Sequence, residues 1–131
     1  MVKLSPDNEM KFLETARDEE VISYICSCWL FPASEHWLLR HAKAKVLKPF
    51  VKNWYLSPKG EVMLIERGDA ELIKAYIEHA SLGEGAQIAL VKRGNYEEIK
   101  FYVSRYKNLF PTPQTMLRKC GYDEIVNILR R

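Results

Sequence analysis

Apolar residues fall along this chain in helical triplets. Val21, Tyr24 and Ile25 are spaced i, i+3, i+4, the stripe that one face of an α-helix turns toward a core. The triplet returns as Leu47, Phe50 and Val51, as Ile73, Tyr76 and Ile77, as Ile99, Tyr102 and Val103, and as Ile125, Ile128 and Leu129, each 26 residues after the last. A second stripe precedes each of these. It begins at Phe12 and Leu13 and continues through Leu38 and Leu39, Leu64 and Ile65, Leu90 and Val91, and Met116 and Leu117. The spacing therefore predicts two helices per 26 residues, a first helix A and a second helix B.

The polar punctuation agrees. Between the stripes stands a column of small residues, Ala16, Ala42, Gly68, Gly94 and Cys120, as a tight turn between helices requires. Leu4-Ser5-Pro6 and Leu56-Ser57-Pro58 each read as an anchoring leucine, a serine N-cap and a proline at the first helical position. Leu30-Phe31-Pro32 keeps the proline, and the fifth copy carries one inserted residue, so Leu109 falls one place late, with Thr112-Pro113 after it. Glu9, Glu35 and Glu61 are expected in the first turn of helix A, where a carboxylate favours the helix dipole. Pro49 falls inside a helix B and is expected to kink or break it.

One hairpin cannot bury both stripes alone, so neighbours must stack. The expected fold is all-α: an α-solenoid of five 26-residue helix-turn-helix repeats in one domain spanning 1–131, with copies at 3–28, 29–54, 55–80, 81–106 and 107–131. Neither end carries an obvious polar cap, which leaves self-association or a longer parent array open.

Two phrases, Gly68-Asp69-Ala70-Glu71-Leu72-Ile73 and Gly94-Asn95-Tyr96-Glu97-Glu98-Ile99, resemble the second half of an ankyrin repeat. The unit is shorter than ankyrin's roughly 33 residues and lacks its Thr-Pro-Leu-His start. Ala89-Leu90-Val91-Lys92-Arg93-Gly94-Asn95 is more similar to uncharacterised bacterial proteins built of short helical hairpins. The resemblance implies an ankyrin-like or HEAT-like solenoid, and such solenoids mostly bind proteins.

Composition narrows the classes. The chain is 47% hydrophobic and 28% charged, the balance of a folded soluble domain. No apolar run approaches the roughly 18 residues that span a bilayer, and the first residues hold no secretory h-region. Cys26, Cys28 and Cys120 form an odd set without a Cys-x-x-Cys pair, as expected of reduced thiols in the cytoplasm. No phosphate loop, nucleophile elbow or zinc-binding helix motif occurs. His36 and His41 diverge around their helix, and the paired acids recur with the repeat, so they read as architecture. The expectation is a protein that is not an enzyme and uses no catalytic residue, cofactor or metal.

Departures from the repeat carry more information. Residues 29–54 hold all three tryptophans, Trp29, Trp37 and Trp54, and five basic residues against one acid. Clustered aromatic and basic side chains are the composition of interface hot spots, although Trp29 and Trp54 also suit gaps between copies. Trp37 is the tryptophan expected to reach solvent. A ladder, His41, Arg67, Arg93 and Lys119, also climbs one step per copy. The expected partner is a protein or peptide of acidic character, bound by Trp37, Arg40, Lys43, Lys48, Arg67 and Arg93. The alternative is nucleic acid on a basic stripe that also includes Arg130 and Arg131. No membrane partner is expected.

Overall fold

The computed structural model describes residues 2–129, so Arg130 and Arg131 of the expected stripe lie outside the described residues. Among the described residues the chain forms ten α-helices and no strand. The first six are α1 (Pro6–Thr15), α2 (Asp18–Ser27), α3 (Pro32–His41), α4 (Ala44–Asn53), α5 (Pro58–Arg67) and α6 (Ala70–Ile77). The last four are α7 (Glu84–Arg93), α8 (Tyr96–Tyr106), α9 (Pro111–Lys119) and α10 (Asp123–Leu129). Local chemistry sets these bounds. The Ser5 and Ser57 hydroxyls accept from the Asn8 and Gly60 amides at 3.4 and 3.0 Å, with Pro6 and Pro58 opening α1 and α5. The Asp69 and Asn95 side chains cap α6 and α8 in the same way.

Packing follows the parity of the helices. α1, α3, α5, α7 and α9 pack one on the next; α2 packs on α4 and α4 on α6, while α8 packs on α10. The core lies under both sets: Leu38, Leu64 and Leu90 from odd helices and Leu47, Ile73 and Ile99 from even ones are each at most 2% exposed. Fully burying a leucine or isoleucine contributes about 1.5–3 kcal/mol. No helix among the described residues is long and apolar enough to cross a membrane.

Three expectations need correction. Pro49 does not break its helix, because α4 runs unbroken from Ala44 to Asn53. The amide that Pro49 lacks would have met the carbonyl of Lys45, an exposed residue of the first turn that water can reach. The small column is likewise not one kind of turn. Ala16 and Ala42 are extended, at φ −75° and −74°, whereas Gly68 and Gly94 are left-handed, at φ 83° and 74°. In the fifth copy Gly121, not Cys120, takes the left-handed place, at φ 77°, because the one-residue insertion carries through α9.

Nor is the Gly94 turn crowded. A Cβ built there meets only the Lys92 carbonyl oxygen, at 3.9 Å, so steric overpacking has no source and only the backbone conformation matters. Gly94→Ala and Gly94→Leu are expected to cost the same, about 1–2 kcal/mol each. Thermal melts in which the leucine variant is far worse than the alanine one would overturn this.

The third correction concerns the glutamate column. Glu9, Glu35 and Glu61 lie in first turns but are buried, and their carboxylates reach the next odd helix. Glu9 Oε1 accepts the Phe31 amide at 3.0 Å, Glu35 accepts the Ser57 amide at 3.3 Å, and Glu61 Oε1 accepts the Gly83 amide at 3.1 Å. Phe31, Ser57 and Gly83 are the N-cap residues of α3, α5 and α7. Gln87 continues the series, accepting the Phe110 amide at 2.9 Å ahead of α9.

A tyrosine from the following even helix holds the other carboxylate oxygen. Tyr24 Oη donates to Glu9 at 2.5 Å and Tyr76 Oη to Glu61 at 2.6 Å, while the Leu4 and Leu56 amides donate to these hydroxyls. Burial, and then the Glu9 carboxylate, pushes the Tyr24 phenol up to about 12. Burial alone would raise the Glu9 carboxyl, but hydrogen bonds from Lys3, Tyr24, Ser34 and the Phe31 amide outweigh it and hold it below the usual range. In copy two Phe50 has no hydroxyl, and Ser57 Oγ donates to Glu35 instead, at 2.6 Å.

Candidate basic groove on the odd helices

The odd helices are joined on one side by their buried leucines, which leaves another side open. There, a groove of about 550 Å³ runs between α3 and α5, lined by Leu39, Arg40, Lys59, Met63 and Arg67. A second, of about 500 Å³, runs between α5 and α7, lined by Ile65, Ile88, Ala89, Lys92 and Arg93. Both include Val62 and Glu66, so they form one depression across three helices. Its floor is aliphatic, and its rim carries five cations and one acid.

These cations are not equivalent. Arg67 Nη1 donates to the Leu39 carbonyl at 2.9 Å and so spans the gap between α5 and the last turn of α3. Arg93 forks onto Glu98 of α8, with Nε at 2.8 Å from Oε1 and Nη2 at 3.3 Å from Oε2, and this pairing raises the guanidinium's pKa. Arg40, Lys59 and Lys92 form no ion pair among the described residues. Arg40 and Lys92 are exposed on the outer stripe of their helices, 52 residues apart in the sequence, with Glu66 midway.

The structure gathers only part of the sequence-predicted set. Arg40, Arg67 and Arg93 line the depression; Trp37, Lys43 and Lys48 do not. Trp37 is half-buried and packs its ring against His41, centroids 5.1 Å apart. Lys43 and Lys45 reach Asp18 of α2, at 3.6 and 3.2 Å. Lys48 is exposed on α4. The expectation that Trp37 is the solvent-facing tryptophan fails, because Trp29 is 52% exposed, with the Lys3 ammonium over its ring at 4.1 Å. Trp54 is partly buried and its indole N–H donates to the Ile25 carbonyl at the end of α2. His79 and Tyr106 bond Val51 and Ile77 at the matching places.

Lys59, Val62 and Lys92 complete the groove; Lys59 and Val62 were missed, and Lys92 was read only as part of the alternative nucleic-acid stripe. The signal for two of them lay in the columns His36, Val62, Ile88 and Arg40, Glu66, Lys92, outer positions of helix A whose residue type changes from copy to copy. Compared with models of known protein families, with curated proteins and with solved structures, the chain matches none.

Proposed function

We propose that the chain is a short α-solenoid of five 26-residue helical hairpins, of the ankyrin-like or HEAT-like kind. In this reading it is a non-enzymatic cytoplasmic scaffold that holds an acidic peptide or protein segment across α3, α5 and α7. The observation that carries the reading is the groove itself: three unpaired cations, Arg40, Lys59 and Lys92, around an aliphatic floor that includes Val62, Ile65 and Ile88. A floor of that kind takes an apolar side chain, while the rim steers and orients carboxylates on either side of it.

Selection of displayed random peptides on the full chain tests this. The expected winners place two or more Asp or Glu residues around an apolar anchor. Their affinity should fall about 100-fold in the variant combining Arg40→Glu, Lys59→Glu and Lys92→Glu, since like charges facing each other cost several kcal/mol. Lys48→Glu with Lys52→Glu on α4 should leave binding unchanged. Winners without acidic residues, or ones that bind the triple variant as well as the parent, would sink the proposal. So would retention of mixed-sequence oligonucleotides in place of peptides, with the steep salt dependence that phosphate binding brings.

A further inference from the structure

The first and last hairpins leave open what the interior hairpins cover. Leu38, Leu64 and Leu90 are at most 2% exposed, but Phe12, at the same place in α1, is half-buried. Val46 and Leu72 are buried where α2 exposes Glu20. The uncovered ground forms a cavity of about 420 Å³ lined by Val2, Leu4, Phe12 and Tyr24, with Glu19 and Glu20 at its edge. Glu9 and Gln87 are fully buried, yet at the other end Gln114, one insertion-corrected repeat after Gln87, is half-buried. It lines a smaller cleft of about 100 Å³ with Val126, Leu129, Lys107 and Arg118.

The capping series stops at the same place. Glu9, Glu35, Glu61 and Gln87 each accept the N-cap amide of the next odd helix. Gln114 repeats the other half of the Gln87 arrangement, its Nε2 donating to Leu109 O at 2.7 Å as Gln87 Nε2 donates to Leu82 O at 3.1 Å. Among the described residues Gln114 Oε1 accepts no amide, and the Ser5 amide, which opens the series at α1, meets no acceptor. The ends are also opposite in charge. Residues 3–28 hold three basic and six acidic residues, and residues 107–129 three basic and two acidic.

We infer that this protein associates head to tail, the α9–α10 end of one molecule seating on the α1–α2 end of a second copy. Gln114 Oε1 of one copy receives the Ser5 amide of the next, Lys107 and Arg118 approach Glu19 and Glu20, and Val126 and Leu129 cover the apolar floor around Phe12. The contact joins two different faces of the same chain, so each added molecule presents a fresh end, and growth continues past the dimer unless a ring closes. It leaves the basic groove untouched.

Sedimentation velocity on the full chain, over roughly 10 µM to 1 mM, tests this. The expected result is an average mass that rises with concentration beyond that of a dimer and falls when salt is added. Two variants block one end each: Glu19→Lys with Ser23→Lys, and Lys107→Glu with Arg118→Glu. All four positions are exposed, and circular dichroism melts establish that both variants fold. Each alone should associate at least about tenfold more weakly than the parent. Mixed in equal amounts they should associate again, to the dimer and beyond, because the intact α9–α10 end of one variant fits the intact α1–α2 end of the other and the two reversed ends are once more opposite in charge. The groove variant of Arg40, Lys59 and Lys92 should associate like the parent. A parent that stays monomeric throughout, an association that survives either end variant, or a mixture that stays monomeric would overturn the inference.

Discussion

Glu61→Ala is expected to lower the unfolding free energy by about 3 kcal/mol: about 1–3 kcal/mol from the buried Tyr76 hydroxyl losing its acceptor, and about 0.5–1.5 kcal/mol from the lost bond to the amide of Gly83, an exposed residue. Glu61 is 7% exposed, and its two oxygens hold the Tyr76 hydroxyl at 2.6 Å and the Gly83 amide at 3.1 Å. Alanine removes both acceptors. The Tyr76 hydroxyl still receives the Leu56 amide at 3.0 Å but has no acceptor for its own proton. Burial, and then the Glu61 carboxylate, keeps that phenol protonated far above the ordinary range, so it cannot escape by ionising. In thermal melts the change should appear as a fall of about 10 °C. Glu61→Gln should lose only about 1–2 kcal/mol, since the amide oxygen still takes the Gly83 N–H. Urea unfolding that places Glu61→Ala within about 1 kcal/mol of the parent would show that water replaces the lost acceptor.

How far this network could be read from the sequence depends on distance along the chain. The apolar triplets and the Ser-Pro starts encode contacts within a few residues, and the ten helices follow from them. The glutamate column was visible too, but a first-turn carboxylate has two readings, its own helix dipole or a neighbour's amide 22 residues on. The distinguishing signal was the tyrosine that follows 15 residues later, in Glu9 with Tyr24 and Glu61 with Tyr76. Copy two confirms the pairing by breaking it: Phe50 replaces the tyrosine, and the serine at Ser57 takes over the carboxylate of Glu35. That carboxylate lies where a Cβ on Gly60 would stand, 1.8 Å from it. The groove was legible only as a ladder of positive residues. Sequence gave no sign that Arg67 and Arg93 already hold Leu39 and Glu98, because those bonds cross between elements. Trp37 and Trp29 were exchanged for a related reason, since exposure at a loop depends on what neighbouring segments cover.

The inserted residue of the fifth copy is expected to be required, and its partner is Gln87. Position 87 is the one interior member of the column that is an amide, and it is fully buried. Its Nε2 shares two hydrogens among three acceptors, the Asn108 carbonyl at 2.8 Å, the Leu82 carbonyl at 3.1 Å and the Tyr102 hydroxyl at 3.1 Å. Tyr102 therefore passes its own proton on, to Asn108 Oδ1 at 3.1 Å. Asn108 lies in the segment that the insertion lengthens, and no such group faces Tyr76, whose proton goes to Glu61. A carboxylate at position 87 would meet two carbonyl oxygens in a dry site, so Gln87→Glu alone should cost about 3 kcal/mol. Deleting Asn108 restores the 26-residue spacing, yet alone it should cost about 2 kcal/mol, because Tyr102 and Gln87 each lose an acceptor. Made together, the two changes recreate the arrangement of Glu61 and Tyr76, with the carboxylate taking both the Tyr102 proton and the Phe110 amide. The double variant should therefore lie within about 2 kcal/mol of the parent, a coupling of about 3 kcal/mol between residues that are 21 apart in sequence. Urea unfolding of all four proteins measures that coupling, and costs that merely add would show that the insertion and the amide arose without regard to each other.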